Sequence, residues 1–483
     1  ILLQPENEYT NAVNVPEFPD PVYFQYVEDQ YRDAGIVVPF INNDASPKGY
    51  FAPNGTNSVT VDIYGHDGYP LGFDAASPYQ WPDNALPTNW RTLHEQQSPN
   101  TPYSIVEFQG GSFDPWGGPG FEKGAELTNY EFERVFYKNN FAQGVTFFNI
   151  YMTYGGTNWG NLGHPGGYTS YDYGAVITED RLVDREKYSE AKLLANFLQV
   201  SPAYLTANPL NGTNGTYANT DAINVRPLVS NSTRFYVVRQ AAYNSNDTVN
   251  FKLTLPTSVG DVTIPSSNGA LTISRRDSKM IATDYDVGGI NLIYTSADIF
   301  TWHKYSDKTV LIVYGGPGEQ HEMAFASDSA TIESNAGYFT TVTNANGMAT
   351  IKWHVQSTES TVKVGDSLYV YLVDRNTAYN HWVLPLSGGK SENTFTDNAT
   401  STVIVEAGYL LRTVEVSERT LALIGDINAT TSITVLGGAP SNLTSLTFNG
   451  ESLDFVQDSD GVVKASAKYA KPNVNLPDLN SLT

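Results

Sequence analysis

The chain has 483 residues, of which 51 are Asp or Glu and 28 are Lys or Arg, so the formal net charge is −23 at pH 7. Because the few bases form no cluster that would neutralise phosphates, this composition argues against nucleic acid and anionic membranes as partners. The chain contains no cysteine, which excludes disulfides, thiolate nucleophiles and cysteine-ligated zinc.

The first two hundred residues alternate short apolar runs with amphipathic helical patterns, which is typical of βα units and a parallel sheet. Helices are predicted after the cap residue Asp20, after a capping box formed by Thr128 and Glu131, and over residues 184–198. The charge run DREK at the start of the last helix is interpreted as a solvent-exposed face. Strands are predicted at residues 1–3, 36–41, 59–64, 103–107 and 145–151.

Each predicted strand is followed by a polar, aromatic or glycine-rich cluster: QPENEY, NNDASP, GHDGYP, EFQGGSFDPWGG and TYGGTNWG. In a (β/α)₈ barrel the active site is assembled at the carboxyl ends of successive strands. We therefore predict an α/β fold in which residues 1–201 form the last five βα units of such a barrel. The remaining three units are expected before Ile1, in a longer protein.

Two carboxylates, Glu8 and Glu107, stand at the ends of predicted strands. Glycoside hydrolysis needs such a pair, because one acid protonates the departing oxygen while the other attacks the anomeric carbon or activates water. Burial and a neighbouring carboxylate raise the pKa of a carboxyl group, so one of the two stays protonated. A glutamate at a strand end is more often a surface or ion-paired residue, so the pair alone leaves a non-catalytic carbohydrate-binding fragment open.

The sequence around these glutamates resembles glycoside hydrolase family 35, the β-galactosidases, and in particular its large fungal secreted members. The motifs ENEY, EFQGGSFDPWGG, NYEFERVFYKNN, NIYMTYGGTNWG and TSYDYGA carry the resemblance over about residues 1–201. It implies that Glu8 is the general acid/base, that Glu107 is the nucleophile and that Asn7 binds the sugar 2-hydroxyl. Further sugar-binding residues implied by the resemblance are Tyr69, Phe113, Tyr151 and Tyr171.

The resemblance implies a secreted, monomeric, retaining exo-β-galactosidase that needs no cofactor and acts on lactose, galacto-oligosaccharides or plant galactans. Another barrel β-glycosidase, such as a β-glucosidase or mannanase, is the alternative enzyme. Eight N-x-S/T sequons fit a secreted glycoprotein, although a chain this rich in Asn, Ser and Thr produces a similar number by chance. They lie at Asn54, Asn211, Asn214, Asn231, Asn246, Asn398, Asn428 and Asn442.

Several nearby polar residues have ambiguous roles. In an extended strand Glu6 and Glu8 would point to the same side, but the preceding asparagine favours Glu8 as the acid and makes Glu6 a hydrogen-bonding partner. We expect structural roles for Asp67 and Asp172. His66 is expected to orient a loop.

After Ser201 the helical periodicity stops and period-two patterns such as TVLIVY and SLYVYLV take over. We predict an all-β domain at residues 202–384, a small β-sandwich at residues 385–470, both antiparallel, and a linker at residues 471–483 that leads to further jelly-roll domains. No acid or histidine constellation converges in these stretches. The histidines are scattered without ligand spacing, so no metal site is predicted.

Overall fold

The computed structural model describes residues 1–10, 18–335, 339–386 and 402–471. An α/β region comes first, and β-sheets make up the rest. None of the helices in these ranges has the length and apolar character needed to cross a membrane.

Four parallel strands form the sheet of the α/β region, in the chain order β1-β2-β3-β4. A parallel bridge between Leu3 and Phe40 places the first residues of the chain beside β1. The four strands are β1 Ile41–Asp44, β2 Ile63–Gly68, β3 Ser104–Gln109 and β4 Phe147–Tyr151. Successive βα units place strands side by side in their chain order, as seen here. The four described strands form an open sheet rather than a closed barrel.

These strands lie further along the chain than predicted. Residues 36–40 and 59–62 precede β1 and β2, and residues 1–3 form only a bridge. Polar residues expected to follow the strands are therefore inside them. Their burial is possible because they hydrogen-bond one another: the Tyr64 hydroxyl donates to Asp44 (2.7 Å) and the Asn43 amide donates to Asp67 (2.6 Å).

Helices connect and flank the parallel strands. Asp20 caps the first of them, as predicted, by accepting a hydrogen bond from the backbone N–H of Val22. The predicted capping box is wrong, because Asn129 caps that helix and the Thr128 hydroxyl donates to the Gly124 carbonyl. The helical segments are Pro21–Asp33, Trp90–Gln97, Phe121–Leu127, Tyr130–Phe132, the π-helical Glu133–Tyr137, Lys138–Ala142, Trp159–Asn161, Glu186–Gln199, Pro202–Thr206 and Arg375–Tyr379.

The first β region contains a nine-stranded sheet and a five-stranded sheet. The nine-stranded sheet consists of Asn208–Pro209, Thr213–Asn214, Ile223–Ser230, Thr233–Gln240, Ser278–Val287, Ile290–Thr295, Gln320–Ala326, Thr340–Ala345 and Met348–His354. The five-stranded sheet consists of Asp298–Lys304, Thr309–Gly315, Ala330–Ser334, Ser360–Val364 and Leu368–Asp374. Two smaller pairs join Thr248–Phe251 to Leu271–Ser274 and Leu253–Thr257 to Gly260–Ile264. A third pair, Gly156–Thr157 with Ser170–Tyr171, lies in the α/β region.

The second β region is a sandwich of two sheets that share one apolar core. One sheet consists of His381–Pro385, Thr402–Glu406, Thr431–Gly437, Phe455–Gln457 and Val463–Ala467, and the other of Leu410–Val416, Thr420–Asp426, Ser445–Phe448 and Glu451–Ser452. The prediction of purely antiparallel sheets is wrong at two places. Strand Thr309–Gly315 runs parallel to Leu368–Asp374, and Thr420–Asp426 runs parallel to Ser445–Phe448.

The largest apolar core joins the α/β region to the first β region. It contains Phe108 of β3 and Phe132 and Phe136 of the helices, together with Val237 and Leu311 of the two large sheets. Side chains alternate along a strand, so Phe108 packs into this core while Glu107 and Gln109 on either side of it point the other way. The β-sheets thus support β3 from the side opposite to those polar residues.

Candidate active site

A cleft of about 430 Å³ opens where the carboxyl ends of β2, β3 and β4 meet the N-terminal segment. All seven residues predicted to act on or bind a sugar line it: Asn7, Glu8, Tyr69, Glu107, Phe113, Tyr151 and Tyr171. Phe73, His164 and Tyr173 line it as well, although the sequence analysis did not single them out. Residues spread over more than 160 positions of the chain are therefore brought to one place.

Three carboxyl groups meet in the cleft. Oxygen atoms of Glu8, Asp67 and Glu107 all lie within 4.8 Å of one another. Carboxyl groups about 5–5.5 Å apart are typical of retaining glycosidases, whereas inverting enzymes need about 6.5–9.5 Å to admit a water molecule between acid and sugar. The close approach of Glu8 and Glu107 fits the retaining arrangement.

Two hydrogen-bond donors hold the Glu107 carboxylate. The Tyr69 hydroxyl donates to Oε2 at 2.6 Å, and the Asn43 amide approaches Oε1 at 3.4 Å. Burial raises the pKa of Glu107 and the Glu8 charge adds to this, while the two hydrogen bonds favour the ionised form and oppose the rise. Tyr69 itself is positioned by Gln109, whose side chain hydrogen-bonds the following loop at Leu71 N (3.0 Å) and Gly72 O (2.6 Å).

Asn43, on β1, ties the N-terminal segment to the sheet. Its Oδ1 accepts from the Gln4 side chain at 2.6 Å and from the Glu8 backbone N–H at 3.2 Å. Its Nδ2 lies 3.2 Å from Asn7 Oδ1 and also donates to Asp67. Asn43 was not predicted as a site residue, although it lies in the polar cluster NNDASP that follows a predicted strand.

Asp67 belongs to the acid cluster itself, which is more than the structural role expected from the sequence. It is buried, accepts a hydrogen bond from the Asn43 amide and has an oxygen within 4.8 Å of one in Glu8 and one in Glu107. Burial, followed by the charges of Glu107 and Glu8, raises the pKa of Asp67 to about 10. These surroundings favour the protonated form of Asp67.

Glu6 and Glu8 point in different directions, contrary to the expectation for an extended strand. The chain bends through residues 5–10, and Glu8 has a φ of 49° in the left-handed region. Glu6 accepts a hydrogen bond from the Tyr23 hydroxyl at 2.6 Å and is not among the residues that line the cleft. Of these two acids, Glu8 alone faces Glu107.

Aromatic side chains form the walls of the cleft. The hydroxyls of Tyr151 and Tyr171 lie 3.1 Å apart, and the rings of Tyr171 and Tyr173 stack with centroids 5.4 Å apart. Phe113 contacts the His164 ring edge to face at 5.5 Å. Tyrosines offer an apolar ring and a polar hydroxyl together, which suits a sugar with C–H faces and hydroxyl edges.

Charged residues behind the cleft are structural. Asp172 accepts hydrogen bonds from the backbone of Gly174 and Glu179 and from Arg185, as expected. The exposed face predicted for DREK is wrong at Lys187, which is buried and donates to the carbonyls of Gly110 (2.8 Å) and Gly174 (3.0 Å).

Two further expectations concern residues outside the cleft. His66 does not orient a loop, because it lies inside β2 and is packed against Trp90 and Tyr103, and this burial lowers its pKa to about 3. Seven sequon asparagines are exposed, which leaves them accessible to glycosylation: Asn54, Asn211, Asn214, Asn231, Asn246, Asn428 and Asn442. Asn398 lies outside the described residues.

Three family models match consecutive stretches of the chain. The model described as "Glycosyl hydrolases family 35" matches residues 1–198. The models described as "Beta-galactosidase, domain 2" and "Beta-galactosidase, domain 3" match residues 206–381 and residues 382–464. Beta-galactosidase A of Aspergillus niger is 53% identical over 488 residues, covering 100% of this chain and 48% of its own length. Beta-galactosidase A of Aspergillus oryzae is 52% identical over 486 residues, with the same coverage.

The chain thus spans about half the length of the relatives it matches. All the motifs that carry the sequence resemblance lie within the residues that the family 35 model matches. The two domain models that follow it cover the β regions in the order found in the structure. Residues 1–198 are thus a glycosyl hydrolases family 35 domain, and the residues that follow it match domains 2 and 3 of β-galactosidase.

Proposed function

We propose that the protein is a retaining exo-β-galactosidase that removes terminal β-galactose by double displacement. The observation that carries the proposal is the pair Glu8 and Glu107, whose carboxyl oxygens lie within 4.8 Å of each other in a tyrosine-lined cleft. The cleft volume of about 430 Å³ is in the range of small-ligand sites and suits a terminal sugar. The names of the family 35 relatives support galactose as that sugar.

The proposed mechanism has two steps. A Glu107 oxygen bonds to the anomeric carbon as the glycosidic bond breaks, and Glu8 gives its proton to the departing oxygen. Glu8 then takes a proton from water, whose oxygen displaces Glu107 from the anomeric carbon and releases galactose. Asn7 hydrogen-bonds the 2-hydroxyl, a contact that strengthens in the oxocarbenium-like transition state.

Asp67 and Asn43 support this cycle through their contacts around the two glutamates. With its raised pKa, Asp67 is protonated in this proposal and adds no third negative charge to the cluster. Asn43 accepts a hydrogen bond from the Glu8 backbone and contacts Glu107, so it holds the segment that carries Asn7 and Glu8 close to Glu107.

We further propose that β1–β4 and the segment at Leu3 are strands of a (β/α)₈ barrel, followed by domains at residues 202–384 and 385–470. The chain order of the parallel strands supports the barrel. The exposed sequons support a secreted glycoprotein. Lactose, galacto-oligosaccharides and plant galactans are the proposed substrates of a monomeric enzyme.

Substitution of the two glutamates tests the assignment. Glu107→Gln is expected to lower kcat/KM for an aryl β-galactoside by about 10³-fold or more, because the nucleophile is lost. Glu8→Gln is expected to lower it by about 10²-fold or more, with a smaller loss on aryl groups that leave without protonation. Glu6→Gln is the matched control in the same segment and should change kcat/KM by less than about threefold.

Near-normal turnover by Glu107→Gln would show that this nucleophile is wrongly assigned. Aryl β-glucosides and β-mannosides measured beside the β-galactoside separate the alternative barrel glycosidases. Faster turnover of either would replace galactose as the proposed substrate sugar. A wild-type protein that binds galactose but hydrolyses none of the three would favour a non-catalytic role.

A further inference from the structure

A second cluster of ligand-type side chains lies far from the cleft along the chain, between the two β regions. Ligand atoms of Glu359, His381 and Glu406 all lie within 4.8 Å of one another. Glu359 directly precedes strand Ser360–Val364 of the first β region, whereas His381 and Glu406 belong to the sandwich. The expectation that no acid and histidine groups converge in the β regions is therefore wrong, because the contact joins residues distant in sequence.

Strand register explains how the sandwich presents its half of the cluster. His381 pairs with Glu406, Glu406 with Thr434, and Thr434 with Lys464 across four neighbouring strands. Directly paired residues point to the same face of a sheet. The four side chains thus form one polar row, and Glu359 approaches the end of that row which carries His381 and Glu406.

The His381 ring is oriented as in metal ligands. It is 0% exposed, and its Nδ1 lies 2.9 Å from the Thr377 carbonyl, to which it donates. Its other nitrogen, Nε2, is buried and has no hydrogen-bond partner among the described residues. Histidine ligands to metals characteristically donate their second ring N–H to a carbonyl or carboxylate in this way.

The two carboxyl groups lie close enough to share one cation. One oxygen of Glu359 and one of Glu406 lie within 4.8 Å of each other and of a ring nitrogen of His381, and both side chains are half-buried. Two carboxylates this close repel each other unless a proton or a cation lies between them.

We propose that Glu359, His381 and Glu406 bind a divalent transition-metal cation of the zinc class, which links the two β regions. One imidazole nitrogen and two carboxylate oxygens are a ligand set that suits Zn²⁺, with water completing the tetrahedron. Mg²⁺ and Ca²⁺ prefer oxygen ligands throughout. The site shares no residue with the cleft that contains Glu8 and Glu107, and it does not depend on the proposed catalytic activity.

Calorimetric titration of the chelator-treated protein with ZnCl₂ tests the site. One saturable equivalent per chain is expected, with no comparable binding of MgCl₂. Glu359→Gln and Glu406→Gln should each weaken zinc binding by about tenfold or more, and His381→Gln should abolish it. Glu333→Gln, an exposed acid on a neighbouring strand, removes the same charge and should bind zinc as the wild type does.

Thermal unfolding without zinc checks that each variant is folded, and added zinc should raise the midpoint more for wild type and for Glu333→Gln than for the ligand variants. Glu359 and Glu406 are partly exposed, so their variants decide the question if His381→Gln does not fold. Absence of saturable zinc binding, or binding that both glutamine variants leave unchanged, would overturn the proposal. Loss of the bound zinc in Glu8→Gln would place it in the cleft and would also overturn the proposal.

Discussion

Tyr69 controls the charge state of Glu107 in the proposed mechanism. Glu107 has to be ionised to attack the anomeric carbon, yet burial raises its pKa. The Tyr69 hydroxyl, 2.6 Å from Oε2, is a hydrogen-bond donor that favours the ionised form. It therefore keeps Glu107 ionised to lower pH than burial alone would allow.

Replacing Tyr69 by Phe is expected to move the acid limb of the kcat/KM profile to higher pH by about half a unit or more. The direction follows because removing a donor to the carboxylate raises the pKa of Glu107 further. Tyr154→Phe, at an exposed tyrosine that does not line the cleft, is the matched control. An acid limb that stays in place or moves down in Tyr69→Phe would contradict the role given to this hydroxyl.

Sequence motifs predicted seven of the side chains that line the cleft, because residues such as Asn7, Glu8 and Glu107 stand in short recognisable segments, but they did not predict Phe73, His164 or Tyr173. They were insufficient for Asn43, whose contacts come from residues 4, 7, 8, 67 and 107 together. The role of Asp67 could likewise not be predicted from the sequence. Its pKa depends on burial and on two acids that are distant in sequence.

At the scale of elements, the helix Glu186–Gln199 anchors the α/β region to the β regions. Glu190 accepts from Arg134 Nε at 2.9 Å and from the Tyr379 hydroxyl at 2.8 Å, and Arg375 lies at 4.0 Å. Although burial opposes ionisation, Arg134 and Arg375 hold the pKa of Glu190 below its usual range. The buried charges are thus paired across three elements.

Glu190→Gln is expected to destabilise the protein by about 3 kcal/mol at pH 7, because two buried arginines lose one of their counter-charges and are left to share Asp277. The Glu190 contribution is present above the ordinary glutamate pKa and is lost as pH falls through the lowered one, so the difference should shrink in acid. Glu186→Gln, on the same helix but 43% exposed, should cost less than about 1 kcal/mol. Unfolding by urea measures both variants, and equal effects would contradict this account of the network.

Apolar patterns in the sequence identified the boundaries of some strands better than those of others. The patterns located β3 and β4 within two residues but placed β1 and β2 several residues too early. The reason is that these strands continue into residues such as Asn43 and Asp67, whose burial is satisfied by partners on other strands. The sequence of a single strand does not reveal such partners.

For the whole molecule, the shared apolar core makes the first β region part of the support for the cleft. The core residues on β3 and its helices pack against side chains of both large sheets. The sequence predicted the order of an α/β region and two β regions, but period-two patterns carry no information on which sheets would pack together. The division at residues 201 and 384 remains a prediction.

The measurement that tests the central claim most directly is trapping of the covalent intermediate. An activated 2-deoxy-2-fluoro-β-galactoside reacts with the nucleophile of a retaining enzyme, and the fluorine slows the second step because it destabilises the oxocarbenium-like transition state. Mass spectrometry of the proteolysed protein should find one galactosyl adduct, on Glu107, and competing galactose should slow its formation. An adduct on Glu8, Asp67 or a residue outside the cleft, or no adduct in a protein that hydrolyses β-galactosides, would contradict the account.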